Sequence, residues 1–422
     1  MNLAISTSVI QRGESGVARY VFELVRSLLD TPGSHRLTLF VLQEDIPLFD
    51  FASKRVRIIP VAERWRSPVK NIFWHQFVLP FLLRKENADV VHIPSYRRML
   101  AFAPCPMVST IHDLAPFRLA GKYDPVRMFY GRYIARFLAK RQDAILTVSH
   151  FTGSDLKTFF RISPAKIRVV WNGLEHERFH PGNLTPTKRE QAPPPADTPF
   201  FLYLSRLEHP AKNHVRLIEA FDRFKTATGS NWRLVLAGGD WHGAEVIRNA
   251  AANARHHDAI EFPGFVSDEV LPDLYRKAGA MIFPSLFEGF GLPPIEAMAC
   301  GCPVISSDRG ALREVVGDSA LMIDPESIDS LQESLATIAV DPELQAELRR
   351  KGLEHAQKFR WENVAQTLLD TCRNTLRPPF GGIETPAFET DSAPNRHPSH
   401  VIEHRSHPSP SLAACESGRI DS

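Results

Sequence analysis

Short apolar runs alternate along this chain with longer stretches whose apolar residues recur at helical spacing. In the first part, NLAIST (2–7), RLTLFVLQ (36–43), RVRIIPV (55–61), ADVVHIPS (88–95), PMVSTIHD (106–113) and AILTVSH (144–150) have the length and content of buried strands. Between them, VARYVFELVRSLL, a long segment from Lys70 and RMFYGRYIARFLAKR follow helical patterns. Such alternation predicts a parallel sheet flanked by helices. The second part repeats the style with FFLYLSR (200–206), WRLVLAGG (232–239), AIEFPGFV (259–266), AMIFPS (280–285), PVISS (303–307) and ALMID (320–324). The expected fold class is α/β: two Rossmann-like parallel-sheet domains facing a cleft at the carboxyl ends of their strands.

Between the two sets, PGNLTPTKREQAPPPADTP is Pro-rich and polar, as linkers are. The expected division is a first domain over 1–175, a linker over 176–198 and a second domain over 199–358, with a C-terminal helix over 359–376 joined to the first. From 377 to 422 the chain turns to Pro, Ser and His with few large apolar groups, which predicts disorder. His397, His400, His404 and His407 could hold a metal there adventitiously, but an unstructured tail is the better reading.

Composition narrows the class. With 422 residues, 43% hydrophobic and 23% charged, the chain has the makeup of a soluble two-domain protein, not a fibre. Its longest greasy segment, FVLPFLL at 77–83, falls far below the roughly 20 residues that span a bilayer, and no leader pattern opens the chain, so a cytoplasmic protein is expected. Five cysteines without metal spacing read as free thiols. The charge is uneven: residues 1–180 carry 26 Lys/Arg against 15 Asp/Glu, leaving 24 against 33 for the rest. A basic first half suggests an anionic partner, and no nucleic-acid motif accompanies it.

The candidate chemistry concentrates at 283–304, FPSLFEGFGLPPIEAMACGCPV. The strand-like AMIFPS feeds a helix for which Pro293 and Pro294 suit the first turn, and Ile295, Met298, Ala299 and Cys302 form its apolar stripe with Glu296 lying off it. Gly289 and Gly291 let the backbone approach a ligand, and the helix start, with Phe290 and Leu292 beside it, offers free N–H groups and partial positive charge. An anion held there could carry a sugar and a nucleoside on its two sides, with Glu288 and Glu296 accepting hydrogen bonds from their hydroxyls. A capped helix with a solvated glutamate would look the same locally. Arg206 and Lys212, six apart on the loop after the second part's first strand, are a natural pair for a diphosphate. In the first part Gly13 and Gly16 flank a turn before a helix, a weaker anion cradle, and His112 ends a strand where its side chain would enter the cleft. A lone histidine is more often structural.

With these residues in view, SRLEHPAKN, the long run from FPGFVSDEV to ALMIDP and the closing FRWENVAQTLLD resemble the second domain of the retaining GT-B glycosyltransferases of family four. The Gly13–Gly16 loop, VVHIPS, TIHDL and VSHFTGSDL fit the first domain more loosely, and VVWNGLEHERFHP matches the interdomain crossing. The resemblance implies donor binding by the second domain and acceptor binding by the first. It implies that Arg206 and Lys212 hold the donor diphosphate and that Glu288 faces the sugar. Backbone N–H groups around Phe290, Gly291 and Leu292 would lie near sugar and phosphate, and Glu296 would bond the ribose. Phe262 to Val266 would border the base, and His112 would lie near the transferred sugar.

No Asp-x-Asp pair occurs in the chain, so metal-independent transfer is expected, with no metal ligands and no cofactor beyond the nucleotide-sugar co-substrate. The expected reaction moves a hexose, leaning to mannose, from GDP-mannose or a UDP-hexose to a saccharide or polyprenyl-diphosphate-linked acceptor of exopolysaccharide or O-antigen synthesis. Retention of configuration comes from the resemblance alone. Two alternatives stay open: a sugar-nucleotide epimerase of similar architecture, and a sugar-nucleotide-binding protein without catalysis. A dinucleotide oxidoreductase is poorer, since no GxGxxG follows a strand. The basic first half, with Arg132, Arg136 and Lys140 four apart beside Phe129, Tyr133 and Phe137, adds an expected peripheral contact with an anionic inner-membrane surface.

Overall fold

The computed structural model describes residues 1–13, 15–118, 128–182 and 198–376. Most of the expected linker and the whole expected disordered tail lie outside the described residues. Among the described residues thirteen parallel strands form two sheets. The first has seven: β1 (Asn2–Ser6), β2 (Arg36–Leu42), β3 (Arg57–Val61), β4 (Val90–Ile93), β5 (Met107–Ile111), β6 (Ala144–Thr147) and β7 (Ile167–Val169). The second has six: β8 (Phe200–Leu204), β9 (Arg233–Ala237), β10 (Ile260–Gly264), β11 (Ala280–Phe283), β12 (Val304–Ser307) and β13 (Leu321–Ile323). Their orders are β3-β2-β1-β4-β5-β6-β7 and β10-β9-β8-β11-β12-β13. Each sheet therefore begins at its middle, winds out one way, and returns to wind out the other.

That winding opens a crevice beside the first strand of each sheet, between β1 and β4 and between β8 and β11, at the strands' carboxyl ends. Every expected strand is present. The additional one, β7, has only three residues with Arg168 at its centre, too short and too polar to show a period. Central strands β1, β4, β5 and β11 are buried along their whole length, which explains why they read as unbroken apolar runs rather than alternating ones.

The second sheet and its helices share one continuous core. In the first, Leu24, Val25 and Leu28 of the helix Gly16–Asp30 pack with Trp361, Val364, Ala365, Leu368 and Cys372, so the C-terminal helix Trp361–Leu376 completes the first core. The chain crosses between the sheets at two places that touch. The Leu174 amide and the His176 ring both bond the Phe359 carbonyl, at 3.2 and 2.8 Å, and Trp171 stacks on the Phe359 ring.

Candidate active site

The loop leaving β11 is shaped by two glycines. A side chain at Gly289 would strike the His112 carbonyl at 2.1 Å, so only glycine lets this loop meet the first sheet. Gly291, at φ +99°, ends the loop in a conformation other residues avoid, and the helix Leu292–Ala299 starts directly after it with prolines in its first turn. No side chain caps that start; Pro293 and Pro294 carry no N–H, so the donors left to a ligand there are the Gly291 and Leu292 amides. The helix differs from the expected amphipathic one. It stops before Cys302 and is buried from Pro294 to Ala299, because helices Leu271–Lys277 and Pro342–Ala356 pack against it. Glu296 is therefore no solvated residue: it is 2% exposed.

Across the crevice the loop after β8 supplies the cation. Asn213 sits in the left-handed conformation and donates to the carbonyls of Pro284 and Pro325, at 3.1 and 2.6 Å, while Tyr203 Oη donates to the Lys212 carbonyl at 2.6 Å. Pinned on both sides, Lys212 places its Nζ 2.5 Å from Glu288 Oε1, and both side chains are mostly buried. Arg206 does not join this pair. Its guanidinium lies over the Trp241 ring at 4.7 Å and meets Glu208 at 3.3 Å, with 55% of its side chain exposed.

The first sheet closes the site from the other side. Arg19, in the first turn of the helix Gly16–Asp30, reaches Glu296 at 2.6 Å, Asp268 at 2.8 Å and Glu175 at 3.8 Å. Burial alone would lower its pKa, and the three carboxylates more than offset that, so Arg19 stays charged. Burial raises the Glu296 carboxyl above its ordinary value, although Arg19 and a 2.9 Å hydrogen bond from Tyr275 pull it back. His112 lies beneath the contact, its Nε2 3.1 Å from the Pro94 carbonyl and its ring edge-on to Tyr20. Burial lowers its pKa and favours the neutral ring. Ser149 Oγ donates to the Gly289 carbonyl at 2.8 Å, and Glu314 accepts from the His150 and Phe151 amides and from Trp171 Nε1.

The crevice is shut in this arrangement. The cavity between Arg19, Glu175, Leu292, Glu296 and Trp361 holds only about 10 Å³, far below the few hundred a small ligand fills. A larger concavity of about 460 Å³ lies between Arg178, His180, Asp268, Asp273 and Arg276, but it is open and lined by none of the expected site residues, so we place the site at the loops. A ligand of a few hundred Å³ at this cavity would require the sheets to part and the Arg19–Glu296 pair to break.

Glu288, Lys212, Gly289, Phe290, Gly291, Leu292 and Glu296 thus gather around one crevice, with His112 facing Gly289. Phe262 ends up under the Arg248 guanidinium on the edge strand β10, and Val266 packs on the second core. Gly13 takes φ +91°, whereas Gly16 is simply the first residue of its helix, with open space where a side chain would go. Ser15 already caps that helix by accepting from the Ala18 amide, so the expected anion cradle has one donor fewer. Sequence reasoning missed Arg19 and Glu314. Arg19 carried a signal nonetheless: a cation in a helix's first turn opposes the helix dipole and calls for a compensating partner.

Residues 15–178 match the family model described as Glycosyltransferase Family 4, and residues 185–355 the one described as Glycosyl transferases group 1. The O-antigen chain mannosyltransferase B of Escherichia coli is 29% identical over 395 residues, covering 87% of this chain and 98% of that protein. Among solved structures, sucrose-phosphate synthase from Thermosynechococcus elongatus superposes with a TM-score of 0.71 at 20% identity, covering 89% of this chain and 98% of that one. HepE of Anabaena, solved with UDP and glucose, gives 0.67 at 16% identity over 89% of this chain and all of that one. The architecture these structures share with it is GT-B. With these two glycosyltransferase models matching its two halves, the chain belongs to the glycosyltransferases of group 1, family four.

Proposed function

We propose that the protein transfers mannose, with retention and without a metal ion, from GDP-mannose to a lipid-linked saccharide at an anionic membrane surface. The observation that carries this reading is the Lys212–Glu288 pair, held 2.5 Å apart near the uncapped start of the helix Leu292–Ala299, in the loop whose Gly289 lies against the His112 carbonyl. Negative charge grows on the donor diphosphate as the sugar leaves. Lys212 and the helix N–H groups are placed to stabilise it, and Arg206 can swing in from Trp241. Glu288 then accepts hydrogen bonds from the sugar, and Glu296, released from Arg19, from the ribose. Mannose is favoured by the relative named for mannosyl transfer, while HepE's UDP and glucose keep UDP-hexoses in the test.

The membrane part rests on the helices that cover the first sheet. Phe73, Phe77 and Phe81 are 52–69% exposed, and Phe129, Tyr133 and Phe137 are 51–63% exposed, so both aromatic rows lie outside the core. Lys70, Arg84, Lys85, Arg132 and Lys140 stand exposed beside them. A spacing of four overshoots an α-turn and falls short of a π-turn. The π-helical stretches Trp74–Val78 and Tyr130–Ile134 cancel that drift and hold each row on one face. No helix among the described residues is long and apolar enough to cross a membrane. Contact would therefore be at the surface.

The test is to measure transfer to a prenyl-diphosphate-linked saccharide from GDP-mannose, UDP-glucose and UDP-galactose, each with and without excess chelator. The expected result is turnover with GDP-mannose, α-linked product, and a rate within about twofold in chelator. Turnover with a UDP-hexose instead would replace the donor assignment. Loss in chelator with rescue by a divalent ion would overturn metal independence.

A further inference from the structure

The loop leaving β4 places one cation where no acid among the described residues meets it. Arg98 closes the short turn Tyr96–Arg98, with its Nε donating to Asn71 Oδ1 at 2.5 Å and its Nη1 to the Arg97 carbonyl at 3.0 Å. Among the described residues no carboxylate pairs with it. Burial accordingly lowers its pKa, a cost that a neighbouring acid normally offsets and here does not. A partly buried guanidinium with unused donors and no counter-charge is suited to an anionic ligand.

Its surroundings say which anion. Asn71, which holds Arg98, also accepts from Ser8 Oγ at 3.4 Å and belongs to the helix Pro68–Phe73, whose continuation carries Phe77 and Phe81. Tyr130 Oη donates to the Arg97 carbonyl at 2.9 Å, tying the second aromatic helix to the same turn. Phe102, a few residues on, is 65% exposed. Arg98 therefore sits at the root of both aromatic rows. In the other direction its loop reaches the reacting end, since Pro94 meets His112, and four residues of chain span at most about 14 Å. Within that short reach lie an apolar surface, a guanidinium without a counter-charge and the proposed sugar-transfer point.

We propose that Arg98 binds the diphosphate of the acceptor: a short saccharide whose lipid lies over the two aromatic helices and whose sugar end reaches His112. This rests on the reading that the acceptor is lipid-linked. A long glycan would place its diphosphate too far from its growing end to use Arg98, so the acceptor is an early one.

The experiment is a binding measurement that needs no turnover. With GDP or UDP saturating the donor side, tryptophan fluorescence is titrated with farnesyl diphosphate, with farnesol and with inorganic pyrophosphate, for the wild type, Arg98→Gln and Arg98→Lys. The wild type is expected to bind farnesyl diphosphate at least about tenfold more tightly than the other two probes. Arg98→Gln should weaken that binding about 10- to 100-fold, and Arg98→Lys, which keeps the charge without the fork, by less. Pyrophosphate binding as tightly as farnesyl diphosphate would mean a site for free phosphate and would overturn the proposal. So would unchanged binding in Arg98→Gln or, should that variant not fold, in Arg98→Lys. Failure to transfer to any lipid-linked saccharide would sink the proposed function while leaving this measurement to decide Arg98 alone.

Discussion

The two sheets share one winding and differ in what their carboxyl ends and outer helices present. Around the second sheet the exposed large apolar residues, Trp241, Val246, Phe265 and Val340, are scattered, and its charges turn inward to a crevice where Lys212 meets Glu288. Around the first, exposed aromatics line up in two rows among cations, and the Arg19 guanidinium reaches across to the partner sheet's loops. One fold has thus been used in two ways. Scattered apolar side chains are ordinary on any surface, whereas an aligned patch with cations beside it marks a contact. On the proposed function the second half holds a small anion in place and the first sits against something large.

The strongest way to break that division is at the crevice. Glu288→Gln keeps size and shape, removes the carboxylate that the proposal sets against the sugar and leaves Lys212 without its counter-charge. Transfer is expected to fall about 10²- to 10³-fold in kcat while the variant still unfolds cooperatively. A folded Glu288→Gln protein with near wild-type turnover would remove the second sheet's loop from the chemistry.

How much of this was legible in the sequence follows from how each feature is made. The strands and the Gly289–Gly291 loop could be read because local physics dictates them: apolar runs, glycine freedom, prolines at a helix start. The placement of Glu296 could not. Its spacing put it off the apolar stripe, and only the packing of two later helices on the same segment buries it. Arg19 and Glu314 were missed for a similar reason, since their partners lie 277 residues and about half as far away in sequence. The aromatic rows fell between. Their spacing of four was visible for Phe129, Tyr133 and Phe137, but an α-helix of that pattern has a core-facing reading too, and it took the π-helical stretches and the exposures to choose.

A second, smaller effect sharpens the comparison where the halves touch. Glu296→Gln should raise donor KM about tenfold, because an amide is a weaker partner for ribose hydroxyls. Arg19→Ala should instead lower it, since Glu296 no longer has to leave a partner before the donor binds. The same change leaves a buried carboxylate unpaired and is expected to cost about 3 kcal/mol of stability near neutral pH. Burial already raises the folded-state pKa of Glu296, so the folded protein binds its proton more readily than the unfolded chain. Stability from this group therefore falls as pH rises through that window, and the deficit of Arg19→Ala should shrink as pH is lowered. A deficit that grows in acid, or a donor KM that moves the same way in both variants, would show that the pair is not a competitor of the donor.

The smallest effect tests the first sheet's outer face, where nothing catalytic is touched. Each near-surface cation contributes on the order of 1 kcal/mol with anionic lipid, screened by salt, and the aromatic rows add apolar contact at the interface. Flotation with anionic vesicles at low salt should carry the wild type, and raising the salt should release part of it. Reversing the charge of Arg132, Arg136 and Lys140 should weaken flotation mainly at low salt. Replacing Phe73, Phe77 and Phe81 with serine should weaken it at every salt concentration, because the apolar share is not screened. The serine variants remove side chains that are more than half exposed, so their melting temperatures should stay close to the wild type. If the wild type ignores anionic vesicles at low salt, the first sheet is not a membrane face and the contrast between the halves reduces to charge alone. If only the cation reversals matter, the aromatic rows serve another partner and the two helices lose their part in holding a lipid.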